Sequence, residues 1–198
     1  MTSSQTSAPT PGQPPRAQVL YVDYAKCMGC ETCEAVCRFL HKRPRIVMLR
    51  MRDGVMAPLY CHHCDRPTCL KACPHGALDL DERGVALLNP LRCVSCQDRF
   101  CLTACPHGAI LCKGERASVV KCDLCAKRQA EGLGPACVEM CPSGAILLLD
   151  RETRQERAAA ESDPAFARVA RHIRPRLSTQ GAMSCATTSQ TTPSPRTP

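Results

Sequence analysis

The chain has 198 residues, a formal net charge of +8, and only 3% aromatic residues with no tryptophan. So few aromatic side chains build a poor conventional core for the one or two domains that this length predicts. Its lysines and arginines are scattered and no aromatic platform is interleaved with them, which argues against nucleic acid as a partner. No apolar run approaches the roughly 18 residues of a membrane helix, so no membrane span is predicted in this chain.

Composition divides the chain into a body, an extension and two tails. Residues 1–16 and 178–198 are rich in Ser, Thr, Pro and Gln, and we expect both to be disordered, flexible tails. Residues 17–150 form the predicted body, and residues 151–177 a helical extension. Within the extension, Asp163 and Pro164 predict the start of a helix over Ala165–Ile173.

Short elements are predicted throughout the body, which indicates an α+β fold. The predicted strands are Ala17–Val22, Ile46–Leu49, Ala77–Leu80, Val85–Leu88, Ala109–Cys112, Ser118–Lys121 and Ala145–Leu149. The predicted helices are Thr32–Leu40, Pro67–Cys73, Phe100–Cys105, Cys122–Gln129 and Pro135–Cys141.

Sixteen of the 18 cysteines fall into four runs of four, and each run ends Cys-x-x-x-Cys. Run one has the C-x2-C-x2-C-x3-C spacing of bacterial iron–sulfur ligands. Sixteen thiolates are enough for four [4Fe–4S] clusters, and we predict all sixteen as metal ligands. Run one is Cys27, Cys30, Cys33, Cys37; run two is Cys61, Cys64, Cys69, Cys73; run three is Cys93, Cys96, Cys101, Cys105; run four is Cys122, Cys125, Cys137, Cys141.

Disulfides and structural zinc are the two alternatives to iron–sulfur ligation. Residues 1–20 lack the apolar stretch of a secretory signal, and x2 and x3 spacings suit one metal centre better than long-range bridges. Zinc sites join two separated pairs of cysteines, whereas three cysteines of each of the first three runs lie in one short loop. The spacing therefore favours iron–sulfur clusters.

A turn repeats after three of the runs. Ala-Cys-Pro-His-Gly-Ala at residues 72–77 returns at 104–109, and Met-Cys-Pro-Ser-Gly-Ala stands at 140–145. Proline stops a helix at the last cysteine and glycine permits the turn into a strand. Run one differs because Arg38 follows Cys37, so we expect its helix to run on.

The basic balance has a second explanation besides an anionic partner. A [4Fe–4S] cluster with four thiolates carries about −2 when oxidised, so four clusters bring about −8. This nearly cancels the formal charge of +8. We interpret the basic residues mainly as counter-charge for the clusters, and we expect the metal-free chain to be largely unfolded.

The runs resemble those of bacterial two-cluster ferredoxins, and all four together resemble the four-cluster electron-transfer subunits of the dimethyl sulfoxide reductase family. Related subunits serve formate dehydrogenases, hydrogenases and carbon monoxide dehydrogenase. The fourth run carries the closest likeness, through Lys121-Cys122-Asp123-Leu124-Cys125, Pro135-Ala136-Cys137 and Cys141-Pro142. The resemblance covers about residues 18–150 and implies two interlocked ferredoxin-like folds. The chain departs from it in run three, where four residues separate Cys96 from Cys101.

The resemblance also implies that each run takes its fourth ligand from another run. From spacing alone, runs two and three look like partners because they share the x2-x4-x3 pattern, while pairing one with two and three with four stays open. The implied ligand sets are Cys61, Cys64, Cys69 with Cys105; Cys93, Cys96, Cys101 with Cys73; Cys27, Cys30, Cys33 with Cys141; and Cys122, Cys125, Cys137 with Cys37.

Several residues near the runs receive lesser roles. We expect Cys112 to be a small buried apolar residue, and His75 and His107 to be exposed after their turns. His63 is placed either beside the ligands or at the surface. Lys121 either tunes a cluster by its charge or is solvated.

The predicted function is electron transfer between a catalytic oxidoreductase subunit, of molybdenum, tungsten or nickel type, and a second redox partner. We find no nucleophile–base pair, phosphate-binding loop or acidic pair, so the chain has no catalytic site of its own. The alternatives are a free-standing polyferredoxin, an electron-donating accessory protein in metalloenzyme maturation, or a zinc-binding interaction module. We expect a cytoplasmic location, with the periplasm as the alternative if a signal-bearing partner carries the folded chain.

Overall fold

Short strands and short helices alternate along the chain. The computed structural model describes residues 18–51, 54–94, 96–112 and 117–160. The strands are β1 Gln18–Val22, β2 Val47–Arg50, β3 Met56–Leu59, β4 Leu78–Leu80, β5 Ala86–Leu88 and β6 Ile146–Asp150. The helices are α1 Thr32–His41, α2 Thr68–Lys71, α3 Pro90–Cys93, α4 Phe100–Ala104, α5 Ala126–Ala130, α6 Ala136–Glu139 and α7 Arg151–Ala160.

The strands form three antiparallel pairs, and one of these pairs joins distant parts of the chain. The first strand, β1, pairs with the last, β6, in a register that runs from Gln18 opposite Asp150 to Val22 opposite Ile146. The pairs β2–β3 and β4–β5 are hairpins between neighbouring strands. Pairing of β1 with β6 brings run one, which follows β1, close to run four, which precedes β6.

The helices pair in the same nested way. Helix α1 of run one packs against α6 of run four, and α2 of run two packs against α4 of run three. Outer runs therefore contact each other, and so do inner runs. These contacts are the framework that positions the cysteines.

Cysteines form a large part of the buried interior. Among the residues that the structure describes, ten of the 28 buried apolar residues are cysteines, and the only aromatic ones are Tyr21 and Tyr60. Apolar side chains from the strands, such as Leu20, Ile46 and Ile146, fill the space between the cysteine loops. Such an interior lacks the aromatic area of an ordinary core.

Most predicted elements are confirmed, with shifts of a few residues at their ends. The strands predicted at Ala109–Cys112 and Ser118–Lys121 are reduced to an isolated bridge between Leu111 and Val120. Two elements of the body, β3 and α3, were not predicted. Strand β3 contains Pro58, which a two-stranded ribbon tolerates, and α3 is a single turn capped by the side chain of Asn89.

The extension begins with a helix that the sequence did not place. Helix α7 follows β6 directly and contacts both β1 and β6. The Arg151 guanidinium pairs with Asp65 and donates to the Gly84 carbonyl at 2.8 Å, and the Arg154 guanidinium lies 2.7 Å from Nδ1 of His62. Helix α7 therefore attaches to the loop of run two. The helix predicted over Ala165–Ile173, and both predicted tails, lie outside the described residues.

Candidate metal centres

All sixteen cysteines of the four runs lie within the described residues as thiols, none of them in a disulfide. Ten are buried, five are partly exposed and Cys30 is exposed. Most of these thiols are therefore shielded from solvent and face the interior or one another.

The thiols of run one lie beside a cysteine of run four. Burial raises the pKa of the Cys33 thiol to about 12, and the neighbouring thiols of Cys27, Cys30 and Cys141 raise it further. Charges at these four sulfurs would repel one another strongly, unless a cation lay among them. We call these four residues the Cys33 group.

Run four in turn lies beside a cysteine of run one. Burial raises the pKa of Cys137 to about 12, and the thiols of Cys125 and Cys37 contribute, as does that of Cys33. Cys122 is buried, and its thiol pKa is raised mainly by burial and then by Cys61 and Cys137. Cys122, Cys125, Cys137 and Cys37 form the Cys137 group.

Runs two and three exchange their last cysteines in the same way. Burial raises the pKa of Cys69 to about 11, and the thiols of Cys105, Cys61 and Cys64 raise it further. Burial likewise raises the pKa of Cys101 to about 11, with Cys93, Cys73 and Cys96 as its charged neighbours. The Cys69 group is Cys61, Cys64, Cys69 and Cys105, and the Cys101 group is Cys93, Cys96, Cys101 and Cys73.

The spacing of the thiols does not suit single metal ions. A tetrahedral zinc site with bonds of about 2.3 Å would hold its sulfurs about 3.8 Å apart. In the part of the chain that the structure describes, the only three side chains with all ligand atoms within 4.8 Å of one another are His75, Cys96 and Asp98. No three of the described thiols are that close, so each group is more open than a site for a single zinc ion.

The repeated Cys-Pro-x-Gly-Ala turn directs a backbone N–H at a sulfur. The amide of Ala77 donates to Sγ of Cys73 at 3.3 Å, and the amide of Ala109 donates to Sγ of Cys105 at 3.4 Å. Glycine at the fourth position adopts φ of +55° at Gly76, a left-handed conformation that brings the following amide round to the sulfur. Such donors stabilise negative charge on ligating sulfurs.

The Cys-x-x-Cys loops direct a second set of amides at sulfur. In run two the amide of His63 lies 3.5 Å from Sγ of Cys61, and in run four the amide of Leu124 lies 3.4 Å from Sγ of Cys122. His63 and Leu124 have φ of +45° and +55°, and Gly29 holds the same place in run one with φ of +72°. A left-handed residue before the second cysteine is therefore shared by these three loops.

The junction between runs two and four contains two buried polar side chains. Lys121 is 4% exposed, and its ammonium donates to the carbonyls of Ala86 and Cys122 at 2.6 and 3.0 Å. His63 is 1% exposed, and its Nδ1 accepts from the amide of Ala86 at 3.2 Å. Both residues are buried beside the candidate ligands, so the solvated alternative for Lys121 and the surface alternative for His63 are wrong.

Two further expectations need correction. Cys112 is exposed rather than buried: it follows Leu111 of the isolated bridge, and Arg99 contacts its sulfur. His107 is partly buried, because its ring stacks on that of His62 with the centroids 3.7 Å apart. His75 is exposed, as predicted.

Arg99 is a buried residue that the sequence did not indicate. Arg99 lies in the long loop of run three, and its guanidinium is buried against the carbonyls of Cys96 and Ala117, 3.2 Å from each. The extra loop length therefore places a buried cation beside the candidate ligands of run three. The spacing of run three marked this loop as unusual, but an arginine in a loop gives no signal of burial.

The described helices include none that is long and apolar enough to cross a membrane.

Residues 52–151 match the 4Fe-4S dicluster domain family.

Similar proteins include components of three named enzymes. The probable anaerobic dimethyl sulfoxide reductase chain YnfG of Escherichia coli K12 is 30% identical over 64% of this chain and 70% of its own length. Formate hydrogenlyase subunit 2 of the same organism is 35% identical over 65% of this chain and 79% of its own length. A tetrathionate reductase subunit of Salmonella typhimurium is 32% identical over 75% of this chain and 64% of its own length. The chain belongs to the 4Fe-4S dicluster domain family and is an iron–sulfur protein of electron transfer.

Proposed function

We propose that the chain carries four [4Fe–4S] clusters and relays electrons between a catalytic oxidoreductase subunit and a second redox partner. The Cys33, Cys137, Cys69 and Cys101 groups each hold one cluster. The observation that carries this proposal is the exchange of fourth thiols, Cys141 for Cys37 and Cys105 for Cys73. Exchange of this kind is what two interlocked ferredoxin-like folds require.

Contacts between neighbouring groups give the four groups an order. The Cys33 and Cys137 groups are neighbours because the charge at Cys33 acts on Cys137. The Cys137 and Cys69 groups are neighbours because Cys61 acts on Cys122. The Cys69 and Cys101 groups share the packed helices α2 and α4. The order is therefore the Cys33 group, the Cys137 group, the Cys69 group and the Cys101 group, so that the Cys33 and Cys101 groups lie at the ends.

Each part of the chain has a definite role in this relay. A [4Fe–4S] cluster gains or loses one electron at a time. The thiolates fix the positions of the four sites, and the backbone amides of residues such as Ala77, Ala109 and Leu124 stabilise the negative sulfurs. Burial of ten thiols excludes water from the sites, and the scarcity of bulky aromatic side chains in the described interior allows the sites to lie close together.

The catalytic partner is inferred from the names of similar proteins. Proteins named for dimethyl sulfoxide reductase, tetrathionate reductase and formate hydrogenlyase are similar to this chain, so we assign it an oxidoreductase partner. The resemblance of its cysteine runs implies that this partner is of molybdenum, tungsten or nickel type. Because sixteen thiols must stay reduced until the metal is inserted, the cytoplasm is the compartment of assembly.

The first experiment is anaerobic purification with iron and acid-labile sulfide assays. Four clusters predict about sixteen iron atoms and sixteen sulfides per chain. Replacement of Cys105 by Ala should disturb the cluster of the Cys69 group, while C112S, which changes a cysteine outside all four groups, should keep the full content. An EPR change confined to the Cys101 group would refute the proposed exchange.

The second experiment tests the partner. Affinity purification from the native organism should recover a large oxidoreductase subunit in a fixed stoichiometry. Recovery of the chain alone, together with reduction of several unrelated acceptors, would instead support a free-standing polyferredoxin or an accessory electron donor.

A further inference from the structure

His63 has a buried ring nitrogen that no described protein atom satisfies. Its side chain is 1% exposed and lies between the ligand residues Cys61 and Cys64. The amide of Ala86 donates to Nδ1 at 3.2 Å, whereas Nε2 has no hydrogen-bond partner among the described residues.

The hydrogen bond at Nδ1 decides which nitrogen carries the proton. An imidazole nitrogen that accepts a hydrogen bond has no proton, so the ring is neutral and Nε2 is the N–H donor. A buried donor without an acceptor costs about 1–3 kcal/mol. The left-handed φ of +45° at His63 adds backbone strain to that cost.

The surroundings offer sulfur as the acceptor. His63 is flanked by two thiols of the Cys69 group, and its own amide is directed at Sγ of Cys61 at 3.5 Å. The nearby carbonyls of Ala86 and Cys122 already accept from the ammonium of Lys121. The sulfur atoms of a bound cluster would supply next to this ring an acceptor that the described protein atoms do not.

We propose that Nε2–H of His63 donates a hydrogen bond to a sulfur atom of the iron–sulfur cluster held by the Cys69 group and raises its reduction potential. This assignment rests on the ligand set given above for that group. A hydrogen bond to sulfur stabilises the more negative, reduced cluster, so its loss moves the potential to lower values.

The other runs provide the comparison within the same molecule. The position before the second cysteine is Gly29 in run one, Ser95 in run three and Leu124 in run four. None of these side chains has an imidazole N–H. Among these four loop positions only that of run two carries an imidazole, and His63 acts on the cluster of the Cys69 group through a hydrogen bond rather than as a ligand.

The direct test uses pulsed EPR on reduced protein that carries ¹⁵N-imidazole histidine. The signal of the Cys69 group is first assigned by its loss in C64S. It should then show a ring-nitrogen coupling together with an exchangeable proton that disappears in D₂O. His41, whose Nε2 lies 3.5 Å from Sγ of Cys125, provides a positive control at the Cys137 group. Absence of any ring-nitrogen coupling at the Cys69 group overturns the proposal without a His63 variant.

Redox titration gives the second measurement. H63F keeps the ring volume, and H63N tolerates the left-handed backbone; either should lower the potential of the Cys69 group alone. The matched control H75F changes an exposed histidine near Cys96 and should leave that potential unchanged. An unchanged potential at full iron and sulfide content, or a shift confined to the Cys137 group, refutes the role of His63. Iron and sulfide below four clusters in the unsubstituted protein would instead refute the ligand assignment.

Discussion

Substitution of Gly29 tests whether the packing of Met56 against the loop of run one restricts opening of that loop. It lies between Cys27 and Cys30 with φ of +72°, and a Cβ placed on it would lie 2.7 Å from Cβ and 3.1 Å from Cγ of Met56. Gly144 follows Cys141, another member of the Cys33 group, with φ of +61° and no atom within 4 Å of such a Cβ. The two glycines share one cluster and one backbone conformation but differ in the space around them.

The magnitudes follow from these contacts. A left-handed conformation costs a residue with a Cβ about 1–2 kcal/mol, a cost that both alanine variants share. Overlap with Met56 adds about 1–3 kcal/mol for G29A alone, because the contact is with Cβ and the strand β3 would have to move. The population of the opened loop should therefore be about fivefold or more higher in G29A than in G144A.

Capture of iron by a ferrous chelator under anaerobic conditions measures that population, provided that the loop opens and closes faster than iron is captured. The decay of the EPR signal of the Cys33 group follows the same event at one site. We expect G29A to lose this signal several times faster than G144A, with the other three groups unaffected. Equal rates for the two variants would show that β3 yields without cost and that the packing of Met56 against the loop is not restrictive.

Three further predictions concern buried charge and metal. K121M should lower the reduction potential of the Cys137 group, because it removes a buried ammonium that stabilises the reduced state. The control K127M changes an exposed lysine and should leave that potential unchanged. Equal shifts of the two variants in a redox titration would contradict the role of Lys121. R99A leaves the carbonyls of Cys96 and Ala117 without a buried donor, so this variant should release iron from the Cys101 group about tenfold faster. An unchanged rate of iron release would mean that water replaces the guanidinium. Removal of the metal should abolish most of the circular dichroism of the folded chain; a retained spectrum would show that the apolar contacts suffice alone.

The cysteine runs and their turns could be predicted because each rests on local chemistry. Proline after Cys73 or Cys105 cannot continue a preceding helix, and glycine two residues later readily adopts the left-handed conformation of the turn. The partners of the runs could not be derived from spacing, because the exchange of Cys37 for Cys141 depends on the pairing of β1 with β6, more than 100 residues apart in the chain.

Buried polar residues were the least predictable part of the site. Arg99, His63 and Lys121 are residue types that lie at the surface of most proteins, and their burial here depends on carbonyls and amides contributed by distant strands and loops. The amide and the carbonyl of Ala86 bond to His63 and Lys121 respectively, so one residue of β5 holds both side chains. A contact of this kind follows from the tertiary structure and leaves no periodic pattern in the sequence.

Run one shows that the hydrogen bond to sulfur is retained even where the repeated turn is lost. Because Arg38 and not proline follows Cys37, α1 continues to His41, and an amide inside the helix cannot turn back to the sulfur. The chain reverses at Lys42, with φ of +60°, and brings the amide of Arg45 to 3.2 Å from Sγ of Cys37.

The donor is therefore supplied eight residues after the cysteine instead of four, and the environment of the sulfur resembles that in the other runs. What differs is the surface, because the added helical turn presents Phe39 with 86% of its area exposed. The departure of run one from the repeat thus changes the outside of the molecule more than the site of the metal. A difference in docking, rather than in reduction potential, is the physical consequence that the longer helix supports.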